Sequence, residues 1–250
     1  MMFELVRRIF GITDLKVPQT SDVFIASFPK SGNTWTRFVL ANLLSRCREE
    51  IHFKNFDRII PEWKVHDTYL ENISSPRLIK THELHSEGFK KAIYLIRDPR
   101  DAYVSYYFYQ KKHWESLGIS TFSEFVKAKP FKYSWSQHVE SWLNCENLLI
   151  LKYEMLISDP IGEFSKLFEF LPEFPIYASD LKEAVLRSKF SNMRQLEIEK
   201  GRPFKSKQHE EMSSQFMRKG KVGDWQNYFD KELLSHFHEQ HAEYMEKFSY

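Results

Sequence analysis

The sequence predicts an α/β fold: a single domain over residues 1–250, with a central, mainly parallel sheet flanked by helices. Three observations carry that expectation. Several short runs are apolar throughout rather than alternating, which marks strands covered on both faces. Each long run stops at a polar loop that opens into helical spacing. The 250 residues are 42% hydrophobic and 16% aromatic, including 22 Phe and 12 Tyr, enough for one sizeable core and too rich for a disordered chain.

The first unit begins at Val23-Phe24-Ile25-Ala26-Ser27-Phe28, stops at Pro29-Lys30-Ser31-Gly32-Asn33, and gives way to Trp35, Phe38, Val39, Leu40, Leu43 and Leu44 at helical spacing. Arg77-Leu78-Ile79-Lys80 reads as a short strand. Ala92-Ile93-Tyr94-Leu95-Ile96 then runs into Arg97-Asp98-Pro99-Arg100-Asp101 and a helix over 102–112, with Pro99 suited to an early helical position. Leu148-Leu149-Ile150-Leu151 is a further strand, and 161–171, after Asp159-Pro160, is the helix behind it. Helical patterns over 121–127, 133–143, 181–187 and 231–247 complete the layers, without internal repeats or a linker. Residues 197–215 hold Lys200, Gly201, Arg202, Pro203, Lys205 and Lys207 with few apolar side chains, a pattern expected of a long surface loop, either a solvated connection or a lid.

Thirty-six Lys and Arg against 34 Asp and Glu leave a net charge of +2, so no global field favours nucleic acid and any anion site is local. Cys47 and Cys145 allow one disulfide at most, which points to a reducing, cytoplasmic setting. Charges interrupt the first ten residues where a signal peptide needs an apolar run, and no stretch approaches the ~20 apolar residues of a membrane span.

Pro29-Lys30-Ser31-Gly32-Asn33-Thr34-Trp35 sits at a strand-to-helix junction, where backbone N–H groups and the helix dipole favour an anion. Gly32 lets the backbone approach, Lys30 brings charge, and Ser31 and Thr34 bring hydroxyls. The order is not that of a Walker A loop, because the lysine precedes the glycine. Lys80-Thr81-His82 follows a strand directly, at the mouth of the sheet where ligands bind. A metal reading of His82-Glu83-Leu84-His85 or His238-Glu239-Gln240-His241 is disfavoured, since each is one residue short of H-E-x-x-H.

Ser27-Phe28-Pro29-Lys30-Ser31-Gly32-Asn33-Thr34-Trp35 resembles the 5′-phosphosulfate loop of the cytosolic-type sulfotransferase family, whose fold is P-loop-like. The likeness continues in the family's order. Arg97-Asp98-Pro99-Arg100-Asp101 with Ser105 resembles the segment that binds the nucleotide's 3′-phosphate. Phe216-Met217-Arg218-Lys219-Gly220-Lys221-Val222-Gly223-Asp224-Trp225 resembles the distal nucleotide loop.

The resemblance implies transfer of a sulfuryl group from 3′-phosphoadenosine 5′-phosphosulfate (PAPS) to the hydroxyl of a small-molecule alcohol or phenol, releasing 3′-phosphoadenosine 5′-phosphate (PAP), without a metal. It makes His82 the general base, with Lys30 and Lys80 stabilising charge on the leaving phosphate. It assigns nucleotide contacts to Lys30, Ser31, Gly32, Asn33, Thr34, Trp35, Arg97, Ser105, Tyr153, Ser188, Phe190, Phe216, Met217, Arg218, Lys219 and Gly220. Trp35 and Phe190 offer flat faces to the purine, and Arg97 and Arg218 the planar fork that grips phosphate. The Thr-Val dimer motif of vertebrate members is missing from 225–231, which leaves the oligomeric state open. Phe53, Phe56, Trp63, Tyr69, Phe108, Tyr109 and Trp114 are candidates for an aromatic acceptor pocket. Two other readings stand beside this one: a nucleotide-dependent phosphotransferase, and a non-catalytic sensor of the desulfated nucleotide.

Overall fold

In the computed structural model, residues 17–202 and 219–250 are described. Four strands, β1 (Val23–Ser27), β2 (Leu78–Thr81), β3 (Lys91–Ile96) and β4 (Asn147–Lys152), form a sheet of order β2-β1-β3-β4. Every pairing among them is parallel, with Val23 opposite both Leu78 and Lys91, and Lys91 opposite Asn147. The described helices are α1 (Asn33–Leu44), α2 (Phe56–Ile59), α3 (Asp67–Asn72), α4 (Pro99–Tyr109), α5 (Lys111–Ser116), α6 (Phe122–Lys127), α7 (Trp135–Trp142), α8 (Tyr153–Ser158), α9 (Pro160–Phe170), α10 (Leu181–Arg187), α11 (Phe190–Lys200) and α12 (Lys231–Lys247).

The continuous apolar strands are explained by two cores. Phe24, Ala26, Tyr94 and Ile96 face one layer, with Phe125, Trp135, Trp142 and Phe237 from α6, α7 and α12. Val23, Ile25, Ile93 and Leu95 face the other, with Phe38, Phe164 and Val185 from α1, α9 and α10. Successive residues of one strand point to opposite faces, so a strand buried on both sides has no polar positions to alternate. Burying these side chains is the main favourable term in the fold.

From β1 the chain moves to β2 on one side, and from β3 to β4 on the other. The carboxyl ends of β1 and β3 therefore flank a topological switch point, the crevice where open α/β sheets take ligands. Local chemistry sets the helices above it. Asp98 caps α4 by accepting from the Arg100 N–H at 2.9 Å, with Pro99 in the first turn. Thr121 and Ser134 form capping boxes with Glu124 and Gln137, and Asp159 and Asp230 cap α9 and α12.

Two of the segments read from the sequence come out differently. The helix expected over 102–112 starts at Pro99 and breaks at Gln110, whose φ of −111° is not helical. Of the segment expected as a loop over 197–215, residues through Lys200 continue α11, while 203–215 lie outside the described residues. Only Met193 of α11 is buried, so the helix has almost no apolar stripe for periodicity to detect. Cys47 and Cys145 are unpaired.

Candidate active site

The loop after β1 is built to hold its backbone open. Lys30 and Gly32 both take positive φ, at 68° and 96°, so the chain turns twice before α1 begins at Asn33. A Cβ on Gly32 would stand 2.7 Å from Cδ2 of Tyr153, so only glycine fits this turn against that ring. Asn33 Nδ2 donates to the Ile25 carbonyl at 3.1 Å and to Ser27 Oγ at 3.2 Å, lashing the first turn of α1 to the end of β1. The positive end of α1 thereby stands at the switch point.

Arg97, just past β3, ties this loop to the distal one. Its Nη1 donates to the Lys30 carbonyl at 3.0 Å and its Nη2 to the Lys221 carbonyl at 3.2 Å, while the guanidinium lies 4.2 Å from the centre of the Tyr153 ring. Two of its five N–H donors are thus engaged, and Nε is buried without a hydrogen-bond partner among the described residues. Asp101 fixes the other side of the distal loop, accepting from the Gly223 N–H at 2.7 Å and the Trp225 N–H at 2.9 Å. Lys219 pairs with Asp224 at 2.9 Å. Gly220, at φ 62°, packs so closely on Phe190 that a Cβ would stand 2.7 Å from its Cδ2.

These segments wall a cavity of about 870 Å³. Lys30, Gly32, Asn33, Thr34 and Trp35 line it from the first loop, Arg97 and Tyr153 from just past β3 and β4, and Ser105 from the middle of α4. Phe190, Lys219 and Gly220 close the same end, and Lys80 and His82 stand in the wall from β2. Ser31 and Ser188 are fully buried and are not among the wall residues. Ser188 lies under α1 and accepts from Asn42 Nδ2 at 3.3 Å, because its place at the end of α10 turns it toward that helix. Phe216, Met217 and Arg218 lie outside the described residues. Ser31 Oγ and Trp35 Nε1 join Arg97 Nε as buried donors without a partner among the described residues. Such orphans are rare unless a ligand or water completes them.

His82 follows β2. Its Nδ1 lies 2.7 Å from the Ser27 carbonyl oxygen, which only accepts, so Nδ1 carries the hydrogen and Nε2 keeps its lone pair. His138 repeats the logic behind it: Nε2 donates to the His82 carbonyl at 3.2 Å, and Nδ1 accepts from the Tyr94 hydroxyl at 2.9 Å. Burial, and then the neighbouring Lys80 charge, push the His82 imidazole down to about 3 against the pull of the Ser27 hydrogen bond. The ring is accordingly neutral at physiological pH, not near its midpoint as an exposed histidine is. Next to it, Glu83 pairs with Lys132 at 3.1 Å and His85 Nε2 reaches the Phe89 carbonyl at 3.1 Å. Among the described residues no three His, Cys, Asp or Glu side chains gather to hold an ion.

Lys80 pairs with Glu62, its Nζ 2.9 Å from Oε2. Glu62 was not legible as a site residue. It arrives because 61–63 lies along β2 as a parallel bridge, the Lys80 N–H donating to Pro61 O and the Trp63 N–H to Lys80 O, both at 2.8 Å. Beside it, Arg37 donates to Asp57 and to the Ile60 carbonyl, and the Glu62 N–H donates to His66 Nδ1 at 3.1 Å. This end of the cavity is therefore ionic. Of the expected aromatic lining, Phe53, Phe56 and Tyr109 are present. Trp63 and Trp114 are buried in the core against Phe89 and Phe125, and Tyr69 and Phe108 are not in the wall. The available signal was Arg37, a charge within the apolar run of α1, since a buried charge requires a partner.

The profile of the sulfotransferase domain matches residues 20–249. Sulfotransferase 1 family member D1 of Mus musculus is 32% identical over 90% of this chain and 83% of its own length. Cytosolic sulfotransferase 5 of Arabidopsis thaliana is 29% identical over 86% and 77%. The crystal structure of mouse sulfotransferase SULT7A1 complexed with PAP superposes with a TM-score of 0.65 and 25% identity, over 95% of this chain and 88% of that one. Retinol dehydratase in a complex with retinol and PAP shares the fold at a TM-score of 0.64 and 19% identity, over 97% and 86%. With a profile match that covers nearly all of its length and the fold to go with it, this chain belongs to the sulfotransferase family.

Proposed function

We propose that the protein transfers a sulfuryl group from PAPS to a hydroxyl of a small-molecule acceptor, with His82 as general base. The observation that carries this reading is the His82 tautomer. A ring held by Nδ1–H on a backbone carbonyl offers a lone pair at Nε2, and it lines the same cavity as Lys30 and Lys80. Binding alone requires no base, so the sensor reading lacks a use for that arrangement.

In the reaction Nε2 takes the proton of the acceptor hydroxyl as its oxygen bonds to sulfur. The bond from sulfur to the 5′-phosphate oxygen breaks in line, and the electron pair leaves on PAP. Lys30 and Lys80, with the N–H groups at the start of α1, would stabilise the charge gathering on that phosphate. Arg97, Ser105 and the Lys219–Gly220 backbone would take the 3′-phosphate, with Arg218 added by resemblance. Trp35, Tyr153 and Phe190 would border the purine, and Gly32, Asn33 and Thr34 the 5′-phosphosulfate. Ser31 and Ser188 would act from beneath, through the loop and α1. Support for the donor comes from the PAP in the SULT7A1 complex and from the orphaned donors around the loop.

The chain is read as one domain. A cytoplasmic location is the corresponding proposal, supported by the name of the Arabidopsis relative; among the described residues no helix is long and apolar enough to cross a membrane. The test is turnover: incubation with PAPS and a panel of alcohols and phenols, following PAP release and sulfated product together. Product formed by the wild type and lost in His82→Asn supports the proposal. ATP-dependent phosphorylation of the same acceptors, without sulfation, would replace it with the phosphotransferase reading.

A further inference from the structure

The ion pair between Lys80 and Glu62 has a construction unlike a surface pair. Both side chains are largely withdrawn from water, at 14% and 27% exposure, and both lie in the cavity wall. Neither backbone is free to drift, because two 2.8 Å hydrogen bonds hold 61–63 alongside β2. An ammonium group in such a place loses hydration, and its proton becomes easier to lose unless a counter-ion stays near.

The other charges around Lys80 do not supply that counter-ion. Arg37, from α1, repels it. Asp57, from α2, attracts it, but its carboxylate already accepts from Arg37. His82, next along the chain, is neutral. Among the described residues, Glu62 is left as the carboxylate that faces Lys80 at contact distance. Burial pushes the ammonium below its ordinary value and Glu62 is the first influence acting the other way. The carboxylate, for its part, is held below the usual range, burial opposing and Lys80 prevailing.

We propose that Glu62 is a positioning residue that keeps Lys80 in its ammonium form and fixes it in the cavity wall, ready for the donor's phosphosulfate. The use to which Lys80 is put rests on the PAPS reading; the dependence of its charge on Glu62 does not. A lysine without its proton supplies no charge to the leaving phosphate, so removing Glu62 makes the site sensitive to alkaline pH. Arginine at position 80 escapes that sensitivity because a guanidinium does not deprotonate.

Trace acetylation with acetic anhydride across pH, read at Lys80 by mass spectrometry, reports the free-amine fraction without any donor. Glu62→Gln is expected to move the Lys80 midpoint down by about one to three pH units, the effect of losing an opposite charge at this range. Glu62→Asp, which keeps the charge but retracts it, is expected to move it less and in the same direction, and serves if the Gln variant does not fold. An unmoved midpoint in the folded variants overturns the proposal. A second arm titrates PAP at alkaline pH: binding weakened in Glu62→Gln and restored in Glu62→Gln with Lys80→Arg supports it, and failure of that rescue overturns the electrostatic account. If the wild type binds no PAP at any pH, the donor reading fails, and the acetylation midpoint still decides the role of Glu62.

Discussion

Replacing Gly32 by alanine tests how the first loop, Tyr153 and Arg97 depend on one another. At φ 96° an L-residue sits in a left-handed conformation that costs about 1–2 kcal/mol. The added Cβ would also stand 2.7 Å from Tyr153 Cδ2 and 3.3 Å from Cε2, well inside ordinary carbon contact. The ring has little room to retreat, with the Arg97 guanidinium 4.2 Å from its centre and Trp35 edge-on at 6.4 Å. Overpacking of this kind adds about 1–3 kcal/mol, so the total is about 2–5 kcal/mol. Displacing Tyr153 also disturbs the guanidinium that links Lys30 to Lys221, and PAP affinity is expected to fall at least tenfold, about 1.4 kcal/mol. Urea unfolding and calorimetric PAP titration measure the two effects. Gly118→Ala is the control, because Gly118 has φ 79° with nothing among the described residues within 4 Å of its Cβ position and carries the backbone cost alone. Equal destabilisation of the two variants, with PAP affinity unchanged at Gly32→Ala, would refute the reasoning.

Three other outcomes follow from the same geometry. His82→Asn is expected to lower kcat by about 10²–10⁴ while leaving PAP affinity within a few-fold, and a loss below tenfold would contradict the assignment of the base. Asp101→Asn replaces one acceptor oxygen by a donor facing an N–H of Gly223 or Trp225; stability should drop by about 1–3 kcal/mol and PAP binding should weaken, whereas a silent variant would show that the distal loop is held elsewhere. Burial holds His82 at about 3 and both His138 and His241 at about 4, so below the ordinary imidazole midpoint of ~6.5 the unfolded chain takes up protons that the folded chain refuses. Their contribution is present above that midpoint and is lost as pH falls toward 4; the urea midpoint should decline from pH 7 to pH 5, less steeply in His82→Asn, and identical slopes would contradict the buried neutral ring.

The sheet was legible because β1, β3 and β4 are apolar on both faces, and because Pro29 and Pro99 mark turns from strand to helix. The first loop was legible for a related reason: Lys30, Gly32 and Thr34 follow a buried strand directly, so their place at its open end is a consequence of chain order. What escaped was set by tertiary packing. α2 is four residues long, too short to show a helical period, yet it and the bridge that follows it carry Asp57 and Glu62 to the cavity. Trp63 and Trp114 looked like pocket aromatics in a chain with many, and nothing local distinguishes a wall residue from a core residue. Ser188 fell at the expected position along the chain, but the direction of its side chain depends on how α10 meets Asn42 of α1.

The most direct test of the central claim is calorimetric titration of PAP against the wild type, with 5′-AMP and ATP as companion ligands. The account predicts tight binding of PAP and binding of both companions weaker by at least about a hundredfold, since neither presents a 3′-phosphate to Arg97 and Ser105. A folded protein that takes up no PAP, or that binds ATP as well as PAP, would contradict it.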